Sequence, residues 1–131
     1  MPSTSDLAFL YPSDSYDVAI EKILSTDAQI IALKRGHEGA TIFNKNETNE
    51  IERFDFAPHN VAEIDPTGAG DCFCATFMSL IAQGESAYKA GYLANAAGAI
   101  AVTRRGPMEG NSKRKEIEEF LENRNAIEQT A

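Results

Sequence analysis

Hydrophobic and polar residues repeat with different periods along this chain, and each period predicts a different kind of element. Residues 14–25 carry apolar side chains at helical spacing behind a capping position, so they are predicted to form an amphipathic helix. Residues 29–33 form a short apolar run typical of a buried strand. Residues 40–43 are the predicted hairpin partner of that strand, and residues 53–56 alternate like a half-exposed strand. This part of the chain should contain one helix and a small sheet.

The second part of the chain has helical patterns only. Residues 72–83 are apolar on nearly every side until Gly84, which predicts a buried helix. Residues 86–103 are rich in alanine and predict a second helix that can lie very close to a neighbour or a ligand. Residues 113–123 predict a third, with three apolar residues on one face: Ile117, Phe120 and Leu121. Strands followed by helices indicate a three-layer α/β arrangement.

A glycine-rich turn precedes the first of these helices. Residues 65–71 are Asp-Pro-Thr-Gly-Ala-Gly-Asp, and Gly68 and Gly70 allow the backbone to turn tightly and approach a ligand. The N–H groups of Ala69, Gly70 and Asp71 should then point from the positive end of the helix and bind an anion. The carboxylate of Asp71 suits a base that deprotonates a hydroxyl attacking a phosphoryl group. The alternative is an ordinary helix start, with Asp71 as a partner of the helix dipole.

This turn resembles the C-terminal signature of the PfkB/ribokinase family of carbohydrate kinases, Asp-Thr-x-Gly-Ala-Gly-Asp with Phe two residues later. Pro66-Thr67 stands where Thr-x is usual, and six residues are in register: Asp65, Gly68, Ala69, Gly70, Asp71 and Phe73. The resemblance implies a ribokinase-like three-layer sandwich and ATP-dependent phosphorylation of a sugar hydroxyl with Mg²⁺. It covers residues 1–121 but corresponds to the C-terminal half of such a kinase, so the fold is expected to be incomplete. Residues 1–123 would form this nucleotide-binding and catalytic half, and residues 124–131 a frayed tail.

A second local signal is Lys34-Arg35-Gly36-His37-Glu38-Gly39, at the end of the first predicted strand. By itself this pattern is typical of a turn between two strands. The resemblance implies instead the Thr-x-Gly-x-x-Gly loop that lies along the bound nucleotide. Gly36 and Gly39 match that loop. Lys34 stands where threonine is often found, and its ammonium group could face either the ATP phosphates or solvent.

A third signal lies in the alanine-rich helix, where Asn95 is surrounded by small residues up to Gly98. Such a residue can serve helix packing alone. The resemblance implies that this turn lies beside the adenine ring, with Asn95 hydrogen-bonded to the base. It further implies a monovalent cation site whose oxygen ligands come from five positions: Asp65, Thr67, Ala101, Arg104 and Gly106. Potassium suits such oxygen donors.

Magnesium in this family is organised by an Asn-x-x-Glu motif, and two segments compete for that role. Asn44 and Glu47 have the right spacing, but they lie in a polar hairpin turn, so we interpret that match as a coincidence. Residues 3–6 match by position, with Ser3 in place of Asn and Asp6 in place of Glu. Asp6 is therefore the magnesium candidate.

Composition narrows the choice of partner and compartment. The formal net charge of −8 argues against nucleic acid or an anionic membrane as partner. No apolar run approaches the roughly 20 residues of a membrane span, and the first residues do not resemble a signal peptide. Cys72 and Cys74 are two residues apart on a helix and cannot bridge each other, so two free thiols in a reducing compartment are expected. These observations favour a cytoplasmic protein.

Two classes of function remain open at this stage. The first is the ATP-site half of a sugar kinase that works with an N-terminal half. The second is a non-catalytic nucleotide-binding fragment that is inactive. In both cases the isolated chain is expected to phosphorylate no sugar and to self-associate through uncovered sheet edges and apolar helix faces. The identity of the sugar or related alcohol is not encoded in these residues.

Overall fold

The computed structural model describes residues 1–65, 68–103 and 114–130, apart from the side chains of residue 37 and residues 124–130. The chain divides into two compact units, residues 1–58 and residues 59–131. The first unit contains these elements: α1 (Thr4–Leu10), α2 (Tyr16–Leu24), β1 (Ile30–Lys34), a 3₁₀ turn (Gly36–Glu38), β2 (Ala40–Lys45) and β3 (Ile51–Phe56). The second unit contains three helices: α3 (Ala69–Ala82), α4 (Ala87–Val102) and α5 (Arg114–Thr130).

The sheet of the first unit is an antiparallel meander in the order β1-β2-β3. Ile31 lies opposite Phe43 across the first pair of strands, and Ile42 lies opposite Phe54 across the second. One face of the sheet packs on the two helices through seven buried residues: Leu7, Ala19, Ile20, Leu24, Ile31, Leu33 and Phe43. All three predicted strands are present, and β2 is two residues longer than predicted.

α2 packs on the sheet through Ala19, Ile20 and Leu24, which are buried, whereas Val18 is 40% exposed. Ser15 caps the helix by accepting a hydrogen bond from the N–H of Val18 at 3.4 Å. The amphipathic helix predicted over residues 14–25 is therefore present, with one face in the core.

The hairpin turn after β2 contains the segment Asn44-x-x-Glu47. The side-chain oxygen of Asn46 accepts hydrogen bonds from the N–H groups of Thr48 and Glu50, both at 3.0 Å. Asn44 lies on β2 and donates to the Glu52 carboxylate at 3.4 Å. Both asparagines stabilise the hairpin, and the interpretation of the segment as a coincidental match to a magnesium motif stays a prediction.

In the second unit, α3 packs along α4. The buried residues of α3 are Cys72, Phe73, Phe77 and Leu80, and the rings of Phe73 and Phe77 stack with centroids 6.2 Å apart. The prediction of a helix buried on every side is wrong, because Met78 is 61% exposed and Ala75 and Ala82 are also exposed. Gly84, with φ +89°, follows the end of α3.

The other two helices of this unit follow their predicted patterns closely. Ser86 caps α4 by accepting a hydrogen bond from the N–H of Lys89 at 3.1 Å. On α5, Ile117 and Leu121 are buried, and the Phe120 ring meets the His59 ring edge to face at 5.2 Å. This last helix continues to Thr130, past the predicted start of a frayed tail at residue 124. The added residues include no glycine or proline, so nothing in their backbone chemistry stops the helix.

None of the helices in residues 1–65, 68–103 and 114–130 is both long enough and apolar enough to cross a membrane. Among the described residues neither cysteine forms a disulfide, and Cys72 is buried while Cys74 is half-buried.

Candidate active site

The glycine-rich turn has the backbone geometry that an anion site requires. Gly68 adopts φ +83°, in the left-handed region, and its carbonyl accepts the N–H of Cys72 at 2.9 Å. The helix therefore begins at Ala69, three residues before the predicted start at Cys72. In a helix of 14 residues, the N–H groups of its first three residues have no acceptor within the helix itself and carry partial positive charge. Those three residues are Ala69, Gly70 and Asp71.

Asp71 occupies the third position of this helix, and its side chain is exposed. A carboxylate at that position is stabilised by the helix dipole and stays close to whatever binds the N–H groups. The turn thus places helix-start N–H groups and a carboxylate within the same three residues. Anion binding at this turn and a role for Asp71 as a base stay predictions.

The start of α3 lies against the middle of α4 through Gly98. A Cβ atom added to Gly98 would lie 3.5 Å from the carbonyl oxygen of Ala69 and 3.9 Å from the Cβ of Phe73. Asn95 is half-buried one turn earlier in α4, and residues three apart share a helix face. The structure therefore brings the predicted adenine-binding positions together with the predicted phosphate-binding turn.

The segment that leads into the turn is tied to the end of α4. The N–H groups of Ile64 and Asp65 both donate to the Val102 carbonyl, at 2.7 and 3.0 Å. Asp65 is thus placed beside the last turn of α4, which contains Ala101. These two residues are the predicted cation ligands that the structure describes, whereas Thr67, Arg104 and Gly106 lie outside the described residues.

Among the residues that the structure describes, no group of three or more His, Cys, Asp or Glu side chains could hold a metal ion. A monovalent cation at the end of α4 would depend instead on backbone and single side-chain oxygens, which are suitable hard donors.

The predicted nucleotide loop in the first unit is closed by its own backbone. The N–H of Arg35 donates to the Gly39 carbonyl at 2.9 Å, and the N–H of Gly39 donates back to Gly36 at 3.3 Å. Gly36 has φ +57° and Gly39 has φ +96°. A Cβ on Gly39 would lie 2.0 Å from the Phe56 carbonyl oxygen, whereas no described atom would come within 4 Å of a Cβ on Gly36. Packing therefore requires glycine at position 39, whereas the space beside Gly36 is open.

Asp6 and Ser3 form a capping box at the start of α1. The N–H of Asp6 donates to the Ser3 hydroxyl at 3.2 Å, and the N–H of Ser3 donates to one Asp6 carboxylate oxygen at 2.9 Å. Hydrogen bonds donated to the Asp6 carboxylate by the backbone N–H of Ser3, and by its hydroxyl, lower the pKa of Asp6, with a smaller contribution from the charge of Lys34. Ser3 also pairs with Lys34 in a parallel bridge. The structure therefore places Asp6, the predicted magnesium ligand, near Lys34, the predicted phosphate-binding residue of the first unit.

The capping box gives Asp6 a structural role and uses one of its two carboxylate oxygens. An ionised carboxylate is a hard oxygen donor, so Asp6 and the Ser3 hydroxyl are chemically compatible with Mg²⁺. A magnesium role for Asp6 remains a prediction.

Two features of these clusters were missed by the sequence reasoning. The Val102 carbonyl, which holds the entry to the turn, is a backbone group and leaves no signal in the side chains. Arg35 carries no predicted role, and its Nε is buried with no hydrogen-bond partner within the described part of the chain. Its placement depends on the hairpin geometry, which the sequence does not specify.

Comparison with known proteins defines the class. The pattern of the "pfkB family carbohydrate kinase" family matches residues 1–114, and the chain belongs to that family. It is 30% identical over 110 residues to an uncharacterized sugar kinase of Archaeoglobus fulgidus, covering 84% of this chain and 42% of that protein.

Solved structures show the same relationship. An E. coli protein provisionally named ribokinase II, in complex with ATP and Mg²⁺, is 41% identical with a TM-score of 0.86 over 94% of this chain and 38% of its own. Ribokinase from Thermotoga maritima is 29% identical with a TM-score of 0.81 over 92% of this chain and 41% of its own. The predicted ribokinase-like α/β fold is confirmed. The chain spans about two fifths of the length of these relatives.

Proposed function

We propose that this chain is the ATP-binding and catalytic part of a sugar kinase and corresponds to the C-terminal half of a pfkB-family enzyme. The observation that carries the proposal is the start of α3, where a left-handed Gly68 is followed by helical residues whose first N–H groups, including that of Asp71, have no acceptor within the helix. The E. coli relative is described in complex with ATP and Mg²⁺, which supports ATP as the phosphoryl donor. The substrate class is a sugar or a related alcohol.

In the proposed reaction, Asp71 accepts the proton of a substrate hydroxyl. The hydroxyl oxygen forms a bond to the γ-phosphorus of ATP while the bond from that phosphorus to the β,γ-bridging oxygen breaks, and ADP leaves. The N–H groups of Ala69, Gly70 and Asp71 stabilise the negative charge that develops on the transferred group. Gly68 contributes the left-handed conformation that aims these groups outward.

Nucleotide-binding residues are proposed within each unit taken by itself. In the first unit they are Lys34, Gly36 and Gly39, and in the second unit Asn95 and Gly98 are proposed to lie beside the adenine. Bound Mg²⁺ would neutralise phosphate charge, and Asp6 with Ser3 would help to hold it. A potassium ion is proposed near Asp65 and Ala101, with Thr67, Arg104 and Gly106 as further candidate ligands.

The remainder of the proposed kinase corresponds to the part of the relatives that these 131 residues do not match. More than half of each relative's length has no counterpart in this chain, so most sugar contacts are assigned to that remainder. The isolated chain would then be inactive and would self-associate through its uncovered apolar surfaces. A cytoplasmic location is proposed, since ATP is available there and the free thiols of Cys72 and Cys74 stay reduced.

A second candidate function is a nucleotide-binding fragment without catalytic activity. The capping box favours it, because it gives Asp6 a structural role at the start of α1. Activity in the presence of a complementing half distinguishes the two functions.

The Gly70→Val variant tests the proposed anion site. A β-branched side chain at this position fills the space in front of the helix start, so ATP affinity should fall by at least about tenfold while the fold is retained. Isothermal titration calorimetry with ATP measures the effect. Ala82→Val, at an exposed position near the other end of α3, is the matched control and should bind ATP normally. Equal affinity in a folded Gly70→Val variant would make the turn purely structural.

The Gly98→Ala variant tests the proposed adenine position. The added methyl group meets Ala69 at an ordinary contact distance of 3.5 Å, and alanine favours a helix over glycine by about 0.8–1 kcal/mol. Thermal stability should therefore stay the same or rise. ATP affinity should fall severalfold, whereas affinity for inorganic triphosphate, which has no base, should not change. Parallel loss of both affinities would place the base elsewhere.

A further inference from the structure

The second unit contains a cavity of about 340 Å³ between its three helices. Four of its lining residues are buried and apolar: Cys72 and Leu80 on α3, Leu93 on α4 and Ile117 on α5, each 3–6% exposed. Small-molecule sites in proteins span about 300–1,000 Å³ and are lined mainly by apolar side chains with a few polar groups. The cavity therefore has the size and the apolar surface to hold one ring of a small molecule.

A row of neutral polar side chains forms another part of the lining. Thr76 and Ser79 on α3 and Gln83 directly after it follow one another at spacings of three and four residues, so they lie on one face of the helix. Within residues 1–65, 68–103 and 114–130, none of these three side chains has a hydrogen-bond partner. Hydroxyl and amide groups can both donate and accept hydrogen bonds. This row can therefore bind a hydroxyl group of a ligand.

The charge that lines the cavity is already paired. Arg114 is a lining residue, and its Nη2 lies 2.9 Å from a Glu85 carboxylate oxygen while its Nε lies 3.1 Å from one of Glu118. An anionic ligand would have to displace these carboxylates from Arg114, and a cationic ligand would meet the guanidinium group. A polyol would place hydroxyl groups against the four apolar side chains, where they find no partner. The lining therefore favours a neutral ring that is apolar on one side and hydroxylated on the other.

We propose that this cavity is a second ligand site, which binds a neutral phenolic compound. The aromatic ring packs against the four buried apolar side chains, and the phenolic hydroxyl group bonds to the polar row that begins at Thr76. Because Cys72 directly follows Asp71 in the chain, the ligand contacts α3 one residue from the proposed base. The inference goes beyond the proposed kinase function, since binding at this cavity needs neither ATP nor the rest of the kinase.

Titration of the ¹⁵N-labelled chain with resorcinol, a benzene ring with two hydroxyl groups, tests the inference by two-dimensional NMR without ATP. Saturable shift changes are expected at the amides of Cys72, Leu93 and Ile117, one on each helix. Met78 and Tyr88 are exposed and do not line the cavity, so their amides should not change. Benzene, which has the same ring but no hydroxyl group, should bind at least about tenfold more weakly. Equal affinity for benzene, a titration that does not saturate, or largest changes at Met78 and Tyr88 overturns the inference.

Variants that fill the cavity give a second, independent measurement. Ala75 lines the cavity and Ala82 does not, and both are exposed on α3, so leucine at either position should leave the fold intact. Ala75→Leu should weaken resorcinol binding at least about tenfold, whereas Ala82→Leu should bind it normally. Thr76→Val removes one hydroxyl group at nearly constant shape and should weaken binding severalfold. Unchanged affinity in Ala75→Leu or Thr76→Val, or equal losses in the two leucine variants, contradicts the proposed site.

Discussion

Replacing Asp71 with asparagine is expected to lower kcat by about 10²–10⁴-fold in the active kinase assembly, the range for loss of a positioned general base. Asparagine keeps the size of the side chain but cannot accept the substrate proton. The backbone N–H groups that hold the phosphates are untouched, so ATP affinity should remain nearly the same. Steady-state kinetics with the complementing half present, together with calorimetric titration of ATP, measures both quantities.

Asp27→Asn is the control for this experiment. Asp27 is an exposed acid in the first unit, outside the clusters of predicted site residues, and the same substitution there should leave kcat unchanged. A loss of less than tenfold in Asp71→Asn would remove Asp71 from the role of base. A large loss of ATP affinity would instead indicate that the carboxylate organises the nucleotide.

Replacing Gly39 with alanine is expected to destabilise the first unit by about 4 kcal/mol or more, a size reached only by severe steric or buried-group defects. The new Cβ would lie 2.0 Å from the Phe56 carbonyl oxygen, which is backbone and cannot rotate away. The residue also has φ +96°, where side chains other than hydrogen are strained. Urea unfolding followed by circular dichroism measures the loss.

Gly36→Ala is the matched control, since it changes the other glycine of the same loop. Gly36 has φ +57° with no described atom within 4 Å of an added Cβ, so the cost should be limited to about 1–2 kcal/mol of left-handed backbone strain. Equal losses in the two variants would show that φ alone explains both glycines. The predicted difference would show that Gly39 is required by its contact with the end of β3.

The sequence predicted the helices best where their ends carry side-chain signals. The pattern over residues 86–103 matches α4 almost to the residue, because Ser86 caps its start with a hydroxyl and Thr103 follows its last residue. The start of α3 was placed three residues late, since a left-handed glycine at Gly68 replaces a side-chain cap. Two glycines, Gly68 and Gly70, flank Ala69, and composition does not tell which of them adopts the unusual φ.

The sequence pattern did not predict the short helix α1. Its seven residues are too few to establish a helical period, and Ser3-x-x-Asp6 was treated as a metal motif. The same spacing satisfies a capping box, because both interpretations need an oxygen-bearing side chain at each of these positions. Only the coordinates show that Ser3 and Asp6 bond to each other's backbone.

The contacts that assemble the candidate site were beyond sequence reasoning for a physical reason. Val102 holds Ile64 and Asp65 through its carbonyl, and any residue type has that group. The approach of Gly98 to Ala69 depends on how two helices cross, which a one-dimensional pattern does not contain. The chemistry of the turn was predictable because it resides in residue types, glycine and aspartate, at fixed spacing.

The most direct test of the central claim is a titration of the ¹⁵N-labelled chain with ATP and Mg²⁺, followed by two-dimensional NMR. If the ATP phosphates bind at the start of α3, the largest shift changes will occur at the amides of Ala69, Gly70 and Asp71, with a further change at Gly98 on α4. Inorganic triphosphate should reproduce the first three changes and reduce the fourth. A saturable titration that leaves the three amides at the start of α3 unchanged would contradict the account.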